Sequence, residues 1–69
     1  MTNTELLEAK IKDSGKKKGY LAKRCGLSRS GFWNCCHNEA EFKTGHIVIL
    51  CEELGITSLT ERNAIFFAG

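Results

Sequence analysis

The feature that most constrains this chain is the absence of proline from 69 residues whose apolar side chains recur three and four positions apart. Proline interrupts regular helices, and a three-and-four spacing places apolar side chains on one helical face. No segment alternates between polar and apolar residues for long enough to suggest a β-strand. The sequence therefore predicts an all-α fold.

Candidate caps and glycines divide the chain into five helices. The predicted helices span about Thr4–Ser14, Lys18–Cys25, Arg29–Cys36, Thr44–Leu54 and Leu59–Ala68. The expected N-terminal caps are Thr2 or Thr4, Ser28, Thr44 and Ser58. Ser58 and Glu61 also have the spacing of a reciprocal capping box. Gly15, Gly26 and Gly55 are expected to take the left-handed conformation that ends a helix.

Apolar residues that share a helical face predict the buried core. In the first helix these are Leu7 and Ile11, with Leu6 beside them. The other predicted core residues are Leu21, Ala22, Cys25, Phe32, Cys35, Ile47, Leu50, Cys51 and Leu54, while Cys36 lies at the edge of the predicted core face. Residues 37–43 are otherwise polar and predict a loop held in place by Phe42.

The length of the chain excludes many functions. A domain of this size buries only about 60% of its unfolded surface, so we expect one domain over residues 1–69 without a substrate domain or deep cleft. A non-enzymatic protein without a cofactor is therefore expected. No apolar run is long enough to cross a membrane, and the first residues do not have the profile of an export signal. The expected location is the cytoplasm, where cysteines stay reduced.

The net charge of +2 conceals an uneven distribution. Residues 10–29 contain eight of the ten Lys and Arg residues and a single acidic residue, Asp13. Both flanks carry a net negative charge. A basic block of this kind indicates a polyanionic partner, although a solvated lysine-rich turn has the same composition.

The stretch KGYLAKRCGLSRSGFWNCCH, residues 18–37, has the pattern of a helix-turn-helix. Small Ala22 allows two helices to approach closely, Gly26 permits the positive φ of the turn, and Leu27 fills the corner. Phe32 and Cys35 follow at helical spacing and seat the second helix on the first. These residues resemble the phage Cro/repressor family of helix-turn-helix proteins. The resemblance implies a compact five-helix bundle with the motif at the second and third helices.

In that family the second helix of the motif enters the DNA major groove and is called the recognition helix. The resemblance therefore implies base contacts by Arg29, Ser30 and Asn34. It implies phosphate contacts by Lys17, Lys18, Ser28 and Lys43. Trp33 lies off the predicted core face and is expected either to be partly buried against the 37–43 loop or to contact the DNA backbone.

Two features depart from the family pattern. Gly31 lies inside the predicted recognition helix, where glycine costs about 1 kcal/mol relative to alanine. Glu39 and Glu41 lie in the loop that relatives place along the DNA backbone, where acidic side chains would repel phosphate. Contacts from this loop to DNA are accordingly not expected.

The C-terminal half has more apolar residues than one small core requires, which suggests an interface. The resemblance implies a twofold homodimer, and the expected interface residues are Ile49, Ile65, Phe66 and Phe67. The alternative is that Phe66 and Phe67 fold back onto the first helix.

Cys25, Cys35, Cys36 and His37 raise the question of a zinc site. Their spacing lacks the paired pattern of structural zinc ligands, so buried thiols acting as small apolar side chains are favoured. Cys36 is expected to be the one partly exposed thiol. No metal site is predicted.

Together these features predict a sequence-specific double-stranded DNA-binding regulator of transcription, in the manner of a small phage or prophage repressor in a bacterial host. The main alternative is an antitoxin-like or antirepressor-like protein that keeps the helix-turn-helix as a scaffold and binds another protein. A thiol or zinc sensor is a third possibility. RNA binding is disfavoured because only Tyr20 and Trp33 are available for stacking near the basic block.

Overall fold

Helix boundaries follow the caps and glycines in the computed structural model, which describes all 69 residues. The five helices are α1 (Thr4–Ser14), α2 (Lys18–Arg24), α3 (Arg29–Cys36), α4 (Thr44–Leu54) and α5 (Leu59–Phe66). There are no strands, so the all-α prediction is confirmed. Helix α2 ends one residue earlier than predicted and α5 two residues earlier. None of the five helices has the length and apolar character needed to cross a membrane.

Two of the predicted caps are wrong. Asn3, rather than Thr2 or Thr4, caps α1 by accepting a hydrogen bond from the Leu6 N–H at 3.1 Å. Thr44 is already helical, and the residue before it, Lys43, donates its backbone N–H to Nδ1 of His46 at 3.2 Å. The side chain that closes the start of α4 is therefore His46, from the first turn of the helix itself.

The predicted caps of α3 and α5 are confirmed. Ser28 Oγ accepts from the Gly31 N–H at 3.0 Å, and Ser58 Oγ accepts from the Glu61 N–H at 3.2 Å. The reciprocal bond of the predicted capping box is not formed; the Glu61 carboxylate instead forms an ion pair with Lys10 of α1 at 3.2 Å. That ion pair links α5 to α1.

The core is a single cluster that takes side chains from all five helices and from Ile56 in the α4–α5 connection. Its members are Leu7, Ile11, Leu21, Ala22, Cys25, Phe32, Cys36, Ile47, Leu50, Leu54, Ile56, Ile65 and Phe66. Leu27, Phe42, Ile49 and Cys51 pack against it from partly buried positions. The prediction for Leu6 is wrong: its side chain is 42% exposed, because it faces outward beside the buried Leu7.

The N-terminal residues form hydrogen bonds with the ends of other helices. Thr2 and Asn38 form a reciprocal pair in which the Thr2 N–H donates to Asn38 Oδ1 at 2.8 Å and Asn38 Nδ2 donates to the Thr2 carbonyl at 2.9 Å. The Thr4 hydroxyl donates to the Cys36 carbonyl at 2.9 Å, and the Asn3 N–H donates to the Ile65 carbonyl. The start of α1 is thus bonded to the ends of both α3 and α5, which fixes the orientation of α3.

Candidate nucleic-acid interface

Helices α2 and α3 are joined by a short turn, residues 25–28, whose geometry follows from its residues. Gly26 has φ of +73°, a left-handed conformation that glycine adopts without a steric penalty. The Leu27 N–H donates to the Ala22 carbonyl at 2.9 Å. Ala22 is buried where the helices meet, and Phe32 of α3 is buried in the core below them. Both helices are therefore held rigidly while the outer side of α3 remains accessible.

The outer side of α3 contains the residues predicted to contact bases. Arg29 and Ser30 are exposed in its first turn, and Asn34 follows one turn after Ser30 in a half-buried position. Residues four apart lie side by side on a helix, so Ser30 and Asn34 share one row, and Arg29 and Trp33 share the neighbouring row. Glycine at position 31 fits this arrangement, because a Cβ there would lie 3.1 Å from the Ser28 cap oxygen.

Arg29 leans back toward α2. Its Nε lies 3.5 Å, and its Nη2 3.6 Å, from the position that a Cβ on Gly19 would occupy. The guanidinium has no carboxylate partner in the structure. Arg29 therefore rests against the first turn of α2 and has its charge available at the surface.

The residues predicted to contact phosphate differ in whether another group of the protein already binds them. Lys17 and Lys43 are exposed and have no acidic partner. Lys18 is held by Glu8 of α1, with its Nζ 2.8 Å from Glu8 Oε2. The Ser28 oxygen is used by the cap, but its hydroxyl hydrogen remains free to donate. Glu39 and Glu41 are exposed in the loop after α3, as the sequence pattern suggested.

Part of the basic block is already neutralised by Glu53 near the end of α4. Its carboxylate accepts from Lys16 Nζ at 2.9 Å, from the Tyr20 hydroxyl at 3.0 Å and from Arg24 Nε at 3.0 Å. Lys16 also donates to the Glu53 carbonyl at 2.7 Å. Hydrogen bonds from Lys16 and Arg24, and then from Tyr20, lower the pKa of Glu53 to about 2. The same pairing raises the pKa of Arg24.

Trp33 is 53% exposed, and its ring lies against the His37 ring at the start of the 37–43 loop, with ring centroids 4.2 Å apart. This agrees with partial burial against that loop, and a contact with the DNA backbone stays a prediction. Phe42 of the same loop packs edge-on against Phe32 and Phe66. Trp33 therefore borders the outer side of α3.

All four cysteines are free thiols. The prediction that Cys36 is partly exposed is wrong. Cys36 is 2% exposed, and burial raises the pKa of its thiol to about 12. Burial also raises the pKa of the other three thiols, of which only Cys51 is partly exposed. No three His, Cys, Asp or Glu side chains lie close enough together to share a metal ion.

The apolar residues of the C-terminal half divide between core and surface. Ile65 and Phe66 are 1% and 4% exposed, so two of the four residues predicted for a dimer interface belong to the core of the single chain. Ile49 is half-buried against that core. Phe67 is 57% exposed, and Val48 and Leu59 are the other exposed apolar residues around a groove of about 550 Å³ between α4 and α5.

The sequence did not reveal which acidic residues bind the cations of residues 10–29. Glu8 and Glu53 both lie in other helices, 10 residues or more from the cations they bind. Part of a signal for the Glu53 cluster was present: Tyr20 and Arg24 lie four residues apart in α2, which places them side by side on that helix. Lys16 precedes α2, so helical spacing does not place it beside them. No local pattern identified Glu53 as their partner.

Comparisons with protein-family models, with curated proteins and with solved structures find no match to this chain.

Proposed function

We propose that this protein is a sequence-specific double-stranded DNA-binding regulator of transcription that inserts α3 into the major groove, as in the Cro/repressor family it resembles. One observation carries the proposal: α3 is seated on the core by one side and presents exposed Ser30 and half-buried Asn34 on the other, beside Arg29, which no carboxylate neutralises. A rigid polar helix flanked by free positive charge suits a groove between two rows of phosphates.

The dimensions of α3 are compatible with this role. An α-helix with its side chains is about 10–12 Å in diameter, and the major groove, about 12 Å wide, admits a helix of this diameter. Asn34 can form two hydrogen bonds with adenine, and Ser30 can donate to or accept from a base edge. Arg29 can reach guanine O6 and N7 when its guanidinium leaves the surface of α2.

Phosphate contacts are assigned to residues on either side of α3. Lys17 lies just before α2 and Lys43 just before α4, and both have unneutralised charge. Ser28 offers its hydroxyl hydrogen at the start of α3. Lys18 contributes less than its position in the motif suggests, because Glu8 already binds its ammonium group.

A homodimer completes the proposed DNA complex. The chain is 28 Å in its longest dimension, whereas successive major grooves on one face of DNA are about 34 Å apart. One copy therefore reaches one groove, and two copies are needed for a twofold site. The exposed apolar surface of Val48, Leu59 and Phe67 is the proposed interface. The assignment of repression, rather than activation, rests on the family resemblance.

Duplex binding tests the proposal. The chain should bind a duplex enriched by selection more tightly than random duplex, and log K should fall linearly with log salt concentration. Asn34→Ala should cost about 1–3 kcal/mol on the selected duplex and little on random duplex, because it removes a base contact only. Asn63→Ala, at an exposed position of α5, is the matched control. Salt-independent or absent binding of the parent chain would contradict the proposal.

A protein-binding function is the second candidate, and the groove between α4 and α5 is the observation that favours it. It is lined by Val48, Leu59 and Phe67 and is large enough to receive an apolar side chain from another protein. A chain that stays monomeric, does not bind duplex DNA and binds a different protein through this groove would support this candidate instead.

A further inference from the structure

The groove between α4 and α5 carries charge as well as apolar surface. Of the 12 residues that line it, only Glu52 of α4 and Arg62 of α5 are charged. Glu52 lies about one turn after the exposed Val48, and Arg62 lies about one turn after the exposed Leu59. Each side of the groove therefore combines an exposed apolar side chain with one charge, and the two charges have opposite signs.

Neither charge is neutralised within the chain. The ion pairs of the structure all use other residues, and Glu52 is exposed. Arg62 is half-buried, with its guanidinium carbon 5.7 Å from the centre of the Phe67 ring and its Nη2 donating to the neutral side chain of Asn63 at 3.3 Å. A half-buried arginine whose contacts are all neutral favours a carboxylate supplied from outside the chain.

A second copy of the chain carries the complementary charges on the same surface. In a twofold interface one patch meets itself, so every contact between two different residues occurs twice. When the twofold axis runs parallel to the groove, the α4 side of each copy faces the α5 side of the other, and Glu52 and Arg62 face each other with opposite charges. An axis across the groove would place α4 against α4, with like charges on facing sides, which is unfavourable.

We propose that two copies of the chain associate through this groove about an axis parallel to it, with Glu52 of each copy paired with Arg62 of the other beside the apolar contact of Val48, Leu59 and Phe67. The inference rests on the homodimer of the proposed function and deepens it. It names the two residues that select a second copy as the occupant of the groove and that fix its orientation. It does not depend on DNA binding.

Charge reversal tests the pairing by sedimentation equilibrium of the full chain without DNA. The parent should dimerise, and its dimer should weaken as salt is added. Arg62→Glu and Glu52→Arg each place like charges at both contacts, so each variant alone should dimerise at least roughly ten-fold more weakly than the parent. An equimolar mixture of the two variants restores opposite charges at both contacts and should form heterodimers with about the parental affinity.

Matched controls separate a local pair from attraction between oppositely charged chains. Lys12→Glu and Glu39→Arg lie at exposed positions outside the groove and change the net charge by the same amounts. These controls, alone and mixed, should dimerise like the parent. If circular dichroism shows that a charge-reversed variant is unfolded, Glu52→Gln, Arg62→Gln and the chain with both changes replace it, and the two losses of dimer affinity should be coupled rather than additive.

The outcomes distinguish this inference from the function on which it rests. A monomeric parent would overturn the inference and remove the homodimer from the proposed function. A dimeric parent whose charge-reversed variants dimerise equally well, or are not restored by mixing, would overturn the pairing of Glu52 with Arg62 and leave the homodimer standing. A chain that responds to charge reversal as expected but does not bind duplex would support the inference and contradict the DNA-binding function.

Discussion

The basic block contains two groups of cations that differ in what they bind. On one side Lys16 and Arg24 converge with Tyr20 on Glu53, and the carboxylate is only 13% exposed. On the other side Lys17 and Arg29 have no acidic partner, and Lys18 is held by a single carboxylate. The first group joins the α1–α2 connection and α2 to α4, while the second surrounds the start of α3.

This difference shows that a charge count does not measure the positive surface available to a partner. Cations bound within the fold act as structural links and contribute little to an external field. Cations without partners retain their charge at the surface and are free to release counterions from a polyanion. The positive charge available to a polyanionic partner is therefore smaller than the composition of residues 10–29 suggests.

The two C-terminal aromatic residues also differ in what surrounds them, since Phe66 lies in the core and Phe67 lies on the surface. Substitution of Phe66 gives the largest expected effect on stability. Phe66→Ala should lower the free energy of unfolding by about 3–5 kcal/mol, because Phe66 fills the core beside Phe42. Phe67→Ala should cost far less stability but weaken self-association, because this exposed ring belongs to the proposed dimer surface. Urea unfolding and sedimentation equilibrium measure the two effects. Equal stability losses would show that Phe67 is a core residue, against its exposure here.

Arg29→Ala is expected to have the next largest effect, on DNA binding. Arg29 belongs to the cations of residues 10–29 that have no acidic partner. It should cost about 1–3 kcal/mol of binding free energy on a selected duplex and much less on random duplex, because a bidentate contact to guanine is lost. Fluorescence anisotropy with both duplexes measures this difference. An equal loss on both would assign Arg29 to a phosphate, consistent with its position against Gly19, and would correct the base-reading assignment.

Lys17→Ala and Arg24→Ala test the comparison directly, since both remove one positive charge. Lys17→Ala should reduce the slope of log K against log salt by about 0.9 for duplex DNA, with little change in stability. Arg24→Ala should leave the slope nearly unchanged and lower the melting temperature, because Arg24 is bound to Glu53. Matching slopes in the two variants would show that the ion pair with Glu53 does not restrict Arg24 in solution.

Glu53→Gln should have the smallest effect, because the side chains of Lys16 and Arg24 that bind Glu53 are 38% and 44% exposed, so water and salt screen the two ion pairs. Hydrogen bonds from Lys16 and Arg24 lower the pKa of Glu53 from about 4.5 to about 2. The stability that the charged Glu53 gives to the fold is therefore present above pH 4.5 and is lost as the pH falls toward 2. The melting temperature of Glu53→Gln should be below that of the parent at pH 6, and the difference should shrink toward pH 2. Glu52→Gln, at the exposed neighbouring position, should show no such convergence.

Much of the local structure could be predicted from the sequence. The bounds of α1, α3 and α4, the turn at Gly26 and the caps at Ser28 and Ser58 follow from side chains within a few residues of each feature. The cap of α1 was misassigned because Thr2 and Thr4 compete locally with Asn3, and the Thr2 backbone and Thr4 hydroxyl bond instead to distant Asn38 and Cys36. Cys36 was misplaced for a related reason: helical spacing gives the direction of a side chain but not what covers it.

The sequence by itself determined the helical class, the helix boundaries to within two residues and the residues on the outer side of α3. These properties depend on backbone preferences and on neighbours three or four positions away, which the sequence displays directly. Only the tertiary structure decided which lysines and arginines are neutralised and which C-terminal aromatic residue enters the core. Each of those outcomes depends on groups brought together from different helices, such as Glu53 with Arg24 and Glu8 with Lys18, and the order of residues along the chain does not specify those distances.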